Sequence, residues 1–184
     1  MQILWTCKKR KQNLSHMLDV FLEGDNNVGW IHNGGDNGVG SLLTMWKMEA
    51  FCYDSHAMWK GYITIFGLHM PFKTKCDVVN VYAECNLSVK AILWEELSNL
   101  KPVHLDLAWC FYGDFNAVRS VNERRGVRER GDQSKEINGF NGFIERNLLM
   151  ELWVVGKKYM WFKSNGSAKS RLDRVLVSEE WLQK

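Results

Sequence analysis

Hydrophobic positions along this chain change their period several times, and each change marks an element. Leu14, Met17, Leu18 and Phe21 recur at i, i+3, i+4 and i+7 in "KKRKQNLSHMLDVFLEG". That spacing predicts an amphipathic helix ending near Gly24. The turn cluster "NGGDNGVGSLLTMW" leads into a strand expected over residues 40–46. "MWKGYITIFGLHM" and "KCDVVNVYAEC" are rich in β-branched and aromatic residues and bounded by Gly or polar turns, so each reads as a strand.

The period then returns to helical. "NLSVKAILWEELSNL" puts Val89, Leu93, Leu97 and Leu100 on one face, with Asn86 or Ser88 as the N-cap. A strand follows at residues 109–112, then the charged loop "RSVNERRGVRERGDQ". A second helix carries Ile137, Phe140, Ile144 and Leu148 on one side. The end reads as a hairpin, "KYMWFK" and "RLDRVLVS" joined by the turn "SNGSAKS". Strands in succession with single helices between them predict a mixed α/β layered fold.

Composition narrows the class. The chain has 184 residues, 46% hydrophobic and 24% charged, with 9 Trp and 9 Phe, enough for one domain with a sizeable core. The net charge of +3 permits a nucleic-acid partner without arguing for one. Cys7, Cys52, Cys76, Cys85 and Cys110 are odd in number, scattered and free of CxxC, which argues against a disulfide framework or a zinc site. "MQILWTCKKRK" lacks the layout of a signal peptide, and no apolar run reaches membrane-spanning length. The expectation is a soluble intracellular protein, without a membrane partner or a small-molecule cofactor.

The chemistry is concentrated in "WCFYGDFNAV". In a strand, Asp114 and Asn116 share a face while Phe115 points to the other layer. Gly113 lets the backbone leave the strand or approach a ligand closely. A carboxylate can take a proton from water or hold a hard cation, and an amide can donate to a phosphate oxygen. The pair suits water attack on a phosphodiester. The same Asp-x-Asn is also an ordinary turn former.

Three segments in this order, "NVYAE", "WCFYGDFNAV" and "SRLDRVLVS", resemble the endonuclease/exonuclease/phosphatase family, the deoxyribonuclease-I-like phosphodiesterases. The wording is most similar to the endonuclease domain of plant LINE-type, non-LTR retrotransposons, through "GVGSLLTMW", "AILWEEL", "NERRG", "GFNGFIERNLLMELWVVGKKYMWF" and "NGSAKSRLDRVLVSEEW". The resemblance covers about residues 28–183. It implies an α+β fold, a two-layer β-sandwich flanked by helices, formed by a single domain over residues 1–184 that is incomplete at both termini.

It also implies roles. Asp114 activates or orients the attacking water and is the metal-binding position for Mg²⁺. Asn116 hydrogen-bonds the phosphate, Tyr82 contacts it, and Asp173 orients the family's catalytic histidine. Ser170 has a lesser claim to touch substrate. The residues alone allow other readings: Tyr82 as a plain strand aromatic, Asp173 as an ion-pair partner of Arg171 or Arg174. The implied partner is the DNA phosphate backbone, and a nuclear location is what such a partner implies.

Departures from the family pattern set the functional expectation. "LWTCKK" places Trp5 where the family's metal-binding Glu stands, Glu84 replaces the usual Pro after the Tyr82 strand, and the last histidine is His104, upstream of Asp114. His16, His32, His56, His69 and His104 show no ligand-like spacing. Losing one group that stabilises transition-state charge costs about 10²–10³ in rate, so a catalytically silent relative is expected. The alternative is a non-catalytic nucleic-acid-binding module. It would use Arg119, Arg124, Arg125, Arg128 and Arg130 in the loop 119–130, with Lys8, Lys9, Arg10 and Lys11 as a second basic cluster. A solvated loop with Glu123 and Glu129 as partners is the bland version of the same residues.

Overall fold

The structure is a computed structural model that describes residues 27–33, 42–100, 107–126, 131–152, 161–162 and 167–183. The helix expected before Gly24, Trp5, His16, His104, Arg128, Arg130 and the basic cluster at Lys8 lie outside the described residues. The chain divides into two compact units between Asn80 and Val81.

In the first unit, β1 (Val28–His32) and β2 (Leu43–Lys47) form an antiparallel pair with Trp30 opposite Met45. Of the strand expected over 40–46, the described part begins at Leu43. Strands β3 (Phe51–Trp59), β4 (Tyr62–His69) and β5 (Thr74–Tyr82) follow in the order β3-β4-β5. The stretch "MWKGYITIFGLHM", expected as one strand, is a hairpin. Met58 and Trp59 end β3, Gly61 turns the chain at φ 92°, and Tyr62 opens β4 opposite Trp59. A two-residue loop of this kind needs positive φ, which glycine supplies without a steric penalty. β4 and β5 bury most of their residues on both faces. The exposed apolar residues Met58 and Trp59 that end β3 run almost directly into the buried apolar start of β4, and this hid the turn between those two strands.

Three side-chain hydrogen bonds help tie this unit together. The Asn80 side-chain amide donates to the Leu43 carbonyl and to Thr44 Oγ1, both at 3.0 Å, joining β5 to β2. The Thr64 hydroxyl donates to the Asp77 carboxyl between β4 and β5. Trp46 stacks on Tyr53 and meets Phe51 edge-on.

The second unit opens with α1 (Leu87–Leu100). Asn86 Oδ1 accepts the backbone N–H groups of Ser88 (2.9 Å) and Val89 (3.3 Å), so Asn86 is the N-cap and Ser88 lies inside the helix. The buried stripe is Lys90, Leu93, Trp94 and Leu97; Val89 and Leu100 are only half-buried. Then come β6 (Ala108–Asp114), a 3-10 turn at Val121–Glu123 and β7 (Arg124–Arg125), so the loop after Asn116 is partly regular. Helix α2 (Gln133–Arg146) buries Phe140, Phe143 and Ile144. Leu148 does not continue that face: it follows the helix at φ 50° and is 78% exposed, while Leu149 is buried in its place.

Strands β8 (Met150–Leu152), β9 (Trp161–Phe162), β10 (Lys169–Ser170) and β11 (Asp173–Val177) precede the short α3 (Glu179–Leu182). The expected terminal hairpin is corrected here. Among the described residues β9 pairs with β10, in a three-stranded sheet ordered β7-β10-β9. β11 instead lies antiparallel between β6 and β8. Arg171 and Leu172 carry the chain from one sheet to the other. Between the helices and β6, Trp94, Phe111, Phe115, Phe140 and Phe143 form one aromatic cluster with ring centroids 5.2–6.4 Å apart. Each such ring contributes about 1.5–3 kcal/mol by burial.

Candidate functional site

The site grows out of the end of β6. Gly113 has φ 129°, and a Cβ there would lie 2.1 Å from the Val81 carbonyl oxygen. Its lack of a side chain serves an approach to neighbouring backbone rather than to a ligand. The Ala83 N–H then donates to the Asp114 carbonyl (2.9 Å), and the Phe115 N–H to the Leu172 carbonyl (3.0 Å). β6 ends at Asp114.

Asn116 therefore does not share a strand face with Asp114, as the period-two reading expected. It stands two residues beyond, in the left-handed region at φ 44°, with its N–H donating to Asp114 Oδ1 at 2.9 Å. That is an Asx turn, the bland alternative made real. Its effect is to fold the Asn116 backbone back onto the Asp114 carboxylate. The Asn116 amide is 9% exposed and donates to the Ala83 carbonyl at 2.6 Å. Ala83, next to Tyr82, thus clamps the turn through both its N–H and its C=O.

Asp173 is the register partner of Asp114 across the antiparallel β6–β11 pair. Residues directly opposite in such a pair have Cβ atoms about 4.5–5.5 Å apart. Two carboxylates and one amide are thereby set at one strand end. Tyr82 is half-buried at the end of β5, and Ser170 is buried in β10 opposite Arg124 and Trp161.

Of the described arginines of the loop, Arg119 and Arg124 are engaged by neighbouring side chains. Arg119 donates to Asn141 (3.1 Å) and pairs with Glu151 (3.3 Å). Arg124 pairs with Glu136 at 2.7 Å, and Arg125 is exposed. Glu123 pairs with Arg174, whose side chain is fully buried, and accepts the Arg119 N–H at 2.7 Å. Glu151 takes both Arg174 and Arg171 at 2.7 Å. Burial alone would raise the carboxyls of Glu123 and Glu136. Hydrogen bonds to Glu123 from Arg174 and the Arg119 N–H, and to Glu136 from Arg124 and Lys90, bring both below the usual carboxylate range.

Sequence reasoning missed Lys90. It lies in the apolar stripe of α1 at 2% exposure, donating to the Asn116 carbonyl (2.6 Å) and to Glu136. The signal was present, because Lys90, Leu93, Trp94 and Leu97 follow helical spacing and a lysine in such a stripe needs a partner.

Asp114 with Asp173 offers the oxygen donors that a hard cation takes, and Mg²⁺ is commonly held by one or two carboxylates plus substrate phosphate. Among the described residues no group of three or more His, Cys, Asp and Glu is gathered. Of the described histidines, His56 bonds the Tyr53 hydroxyl (2.7 Å), His32 stacks on Trp30, and His69 is buried, which lowers its pKa.

No helix among the described residues is long and apolar enough to cross a membrane. No protein-family model matches the chain. No curated protein matches it either. Solved structures do. An AP endonuclease from Leishmania major is 14% identical, with TM-score 0.65 over 84% of this chain and 63% of its own. An endonuclease/exonuclease/phosphatase family protein from Bacteroides thetaiotaomicron is 13% identical, with TM-score 0.59 over 89% of this chain and 65% of its own. The endonuclease domain of TRAS1, a telomere-specific non-LTR retrotransposon, is 13% identical, with TM-score 0.59 over 95% of this chain and 83% of its own. The fold is α+β, of the deoxyribonuclease-I-like kind that these structures share. This chain spans less than two thirds of the first two.

Proposed function

We propose that these residues form the phosphate-facing part of a metal-dependent phosphodiesterase domain acting on DNA, of the kind found in plant LINE-type retrotransposon endonucleases. We further propose that they do not turn substrate over on their own. The observation that carries the reading is the strand-end arrangement: Asp173 in register with Asp114, and Asn116 folded back onto the Asp114 carboxylate. An AP endonuclease and a retrotransposon endonuclease domain among the similar folds support it.

Asn116 has a second amide hydrogen and a carbonyl beyond its bond to Ala83, so it can still donate to a phosphate oxygen. Asp114, acting as base, would orient water for in-line attack, and Tyr82 would donate a third hydrogen bond. A Mg²⁺ ion held by Asp114 and Asp173 would supply charge to the phosphoryl oxygens. Among the described histidines, His56 bonds the Tyr53 hydroxyl, His32 stacks on Trp30 and His69 is buried, so none of them is offered to stabilise a developing oxyanion. Losing one such group typically costs about 10²–10³ in rate. The competing binding-module reading draws less support, because Arg119 and Arg124 are engaged by Glu151 and Glu136.

Relaxation of supercoiled plasmid in Mg²⁺ or Mn²⁺ tests this, with Asp114→Ala as control. The expected result is nicking indistinguishable between the two. Cleavage that disappears in Asp114→Ala would show a complete catalyst and overturn the claim of silence.

A further inference from the structure

We infer that Lys90 is a positioning residue for the phosphate site, fixing Asn116 from behind; this rests on the reading that Asn116 faces a phosphate. Asn116 sits in a backbone conformation that non-glycine residues adopt at a cost of about 1–3 kcal/mol unless the surroundings hold it there. Three contacts hold it. Asp114 takes its N–H, Ala83 takes one hydrogen of its side-chain amide, and Lys90 takes its carbonyl.

The first two come from the site itself. Lys90 comes from α1, and its ammonium is aimed by Glu136 of α2, whose other oxygen accepts from Arg124 of β7. A chain Arg124–Glu136–Lys90–Asn116 thus joins both helices and the β7 sheet to the turn. A buried ammonium with too few partners is costly, and this one has two good acceptors. The Asn116 carbonyl is therefore not free to rotate. Peptide orientation at Asn116 decides where its side chain points, so the network sets the amide that is to meet the phosphate. Arg124, named from sequence as a substrate contact, acts in this arrangement through Glu136 and Lys90.

The test uses the whole chain with Lys90→Met, which keeps the aliphatic stem and removes the donors. Hydrogen exchange at the Asn116 N–H and affinity for a short DNA duplex by fluorescence anisotropy are read together. Leu97→Ala serves as a core control on the same helix. Lys90→Met is expected to speed Asn116 exchange about tenfold, the factor that roughly 1.4 kcal/mol of lost hydrogen bonding gives, and to weaken duplex binding. Leu97→Ala should leave both close to wild type. Equal effects from Leu97→Ala would reduce Lys90 to general stability and overturn the inference.

If Lys90→Met does not fold, Glu136→Gln is read instead and is expected to move both quantities the same way by less; no change would overturn the inference. An Asn116→Ala variant separates the two levels. Wild-type affinity unmoved by Asn116→Ala removes the phosphate reading, and the positioning role with it. Affinity that falls in Asn116→Ala but not in Lys90→Met removes the positioning role alone.

Discussion

Asp77 shows how one residue can set the pH response of a fold. It is buried in β5 with one oxygen on the Thr64 hydroxyl and the other, Oδ2, without a partner among the described residues. Burial pushes its carboxyl up to about 7 from the usual 3.8, partly offset by Thr64. A raised acid contributes stability that is full below about pH 3.8 and is lost as pH rises through about 7. Asp77→Asn is therefore expected to be more stable than wild type at pH 8. Its urea midpoint should also change less between pH 5 and 7, where wild type loses up to about 1.4 kcal/mol per pH unit. Parallel profiles for the two proteins would contradict this assignment. At the same scale, Asp114, Asn116, Tyr82 and Asp173 were nameable from sequence because their motifs are contiguous. The left-handed turn at Asn116 was only one of two readings, since side-chain period alone cannot say where β6 stops.

Elements were legible where period and caps agreed. The bounds of α1 follow from Asn86 and its apolar stripe, and β6 was found within two residues at its far end. Several of the misses share a physical cause: they needed a partner distant in sequence. "RLDRVLVS" reads as a hairpin arm because it follows a turn, yet as β11 it pairs with β6 and β8. Leu148 fits the α2 period but falls past the end of the helix. The ionic layer of Arg174, Glu123, Glu151 and Arg171 was invisible for the same reason, and it pins the loop after Asn116 to β11 and β8. Breaking a buried pair by removing one partner costs about 3–5 kcal/mol. Arg174→Met should lose stability of that order in urea unfolding at pH 7, whereas a loss below about 1 kcal/mol would mean the layer contributes little. The Glu123 and Glu136 carboxyls lie below their usual value of 4.5. Their stabilisation is thus present above about pH 4.5 and fades as pH falls beneath it. Arg174→Met should therefore also flatten the acid limb of the profile.

At the scale of the molecule, the quoted motifs carried more than composition did. A charge of +3 and a high aromatic content fit many folds, while "NVYAE", "GDFN" and "SRLDR" in that order implied one, and the solved structures share it. What the motifs could not convey is how the strand end is held: Ala83 and Lys90 both bond Asn116, and Asp173 stands in register with Asp114. The central claim is that this strand end, rather than the arginine loop, meets a DNA phosphate. It is tested most directly by titrating the isotopically labelled chain with a short DNA duplex and following backbone amide shifts. The account predicts the largest changes at Asp114, Phe115, Asn116 and Asp173, lost in Asn116→Ala. Changes centred on Arg125 and sparing those four, or none at all, would contradict it.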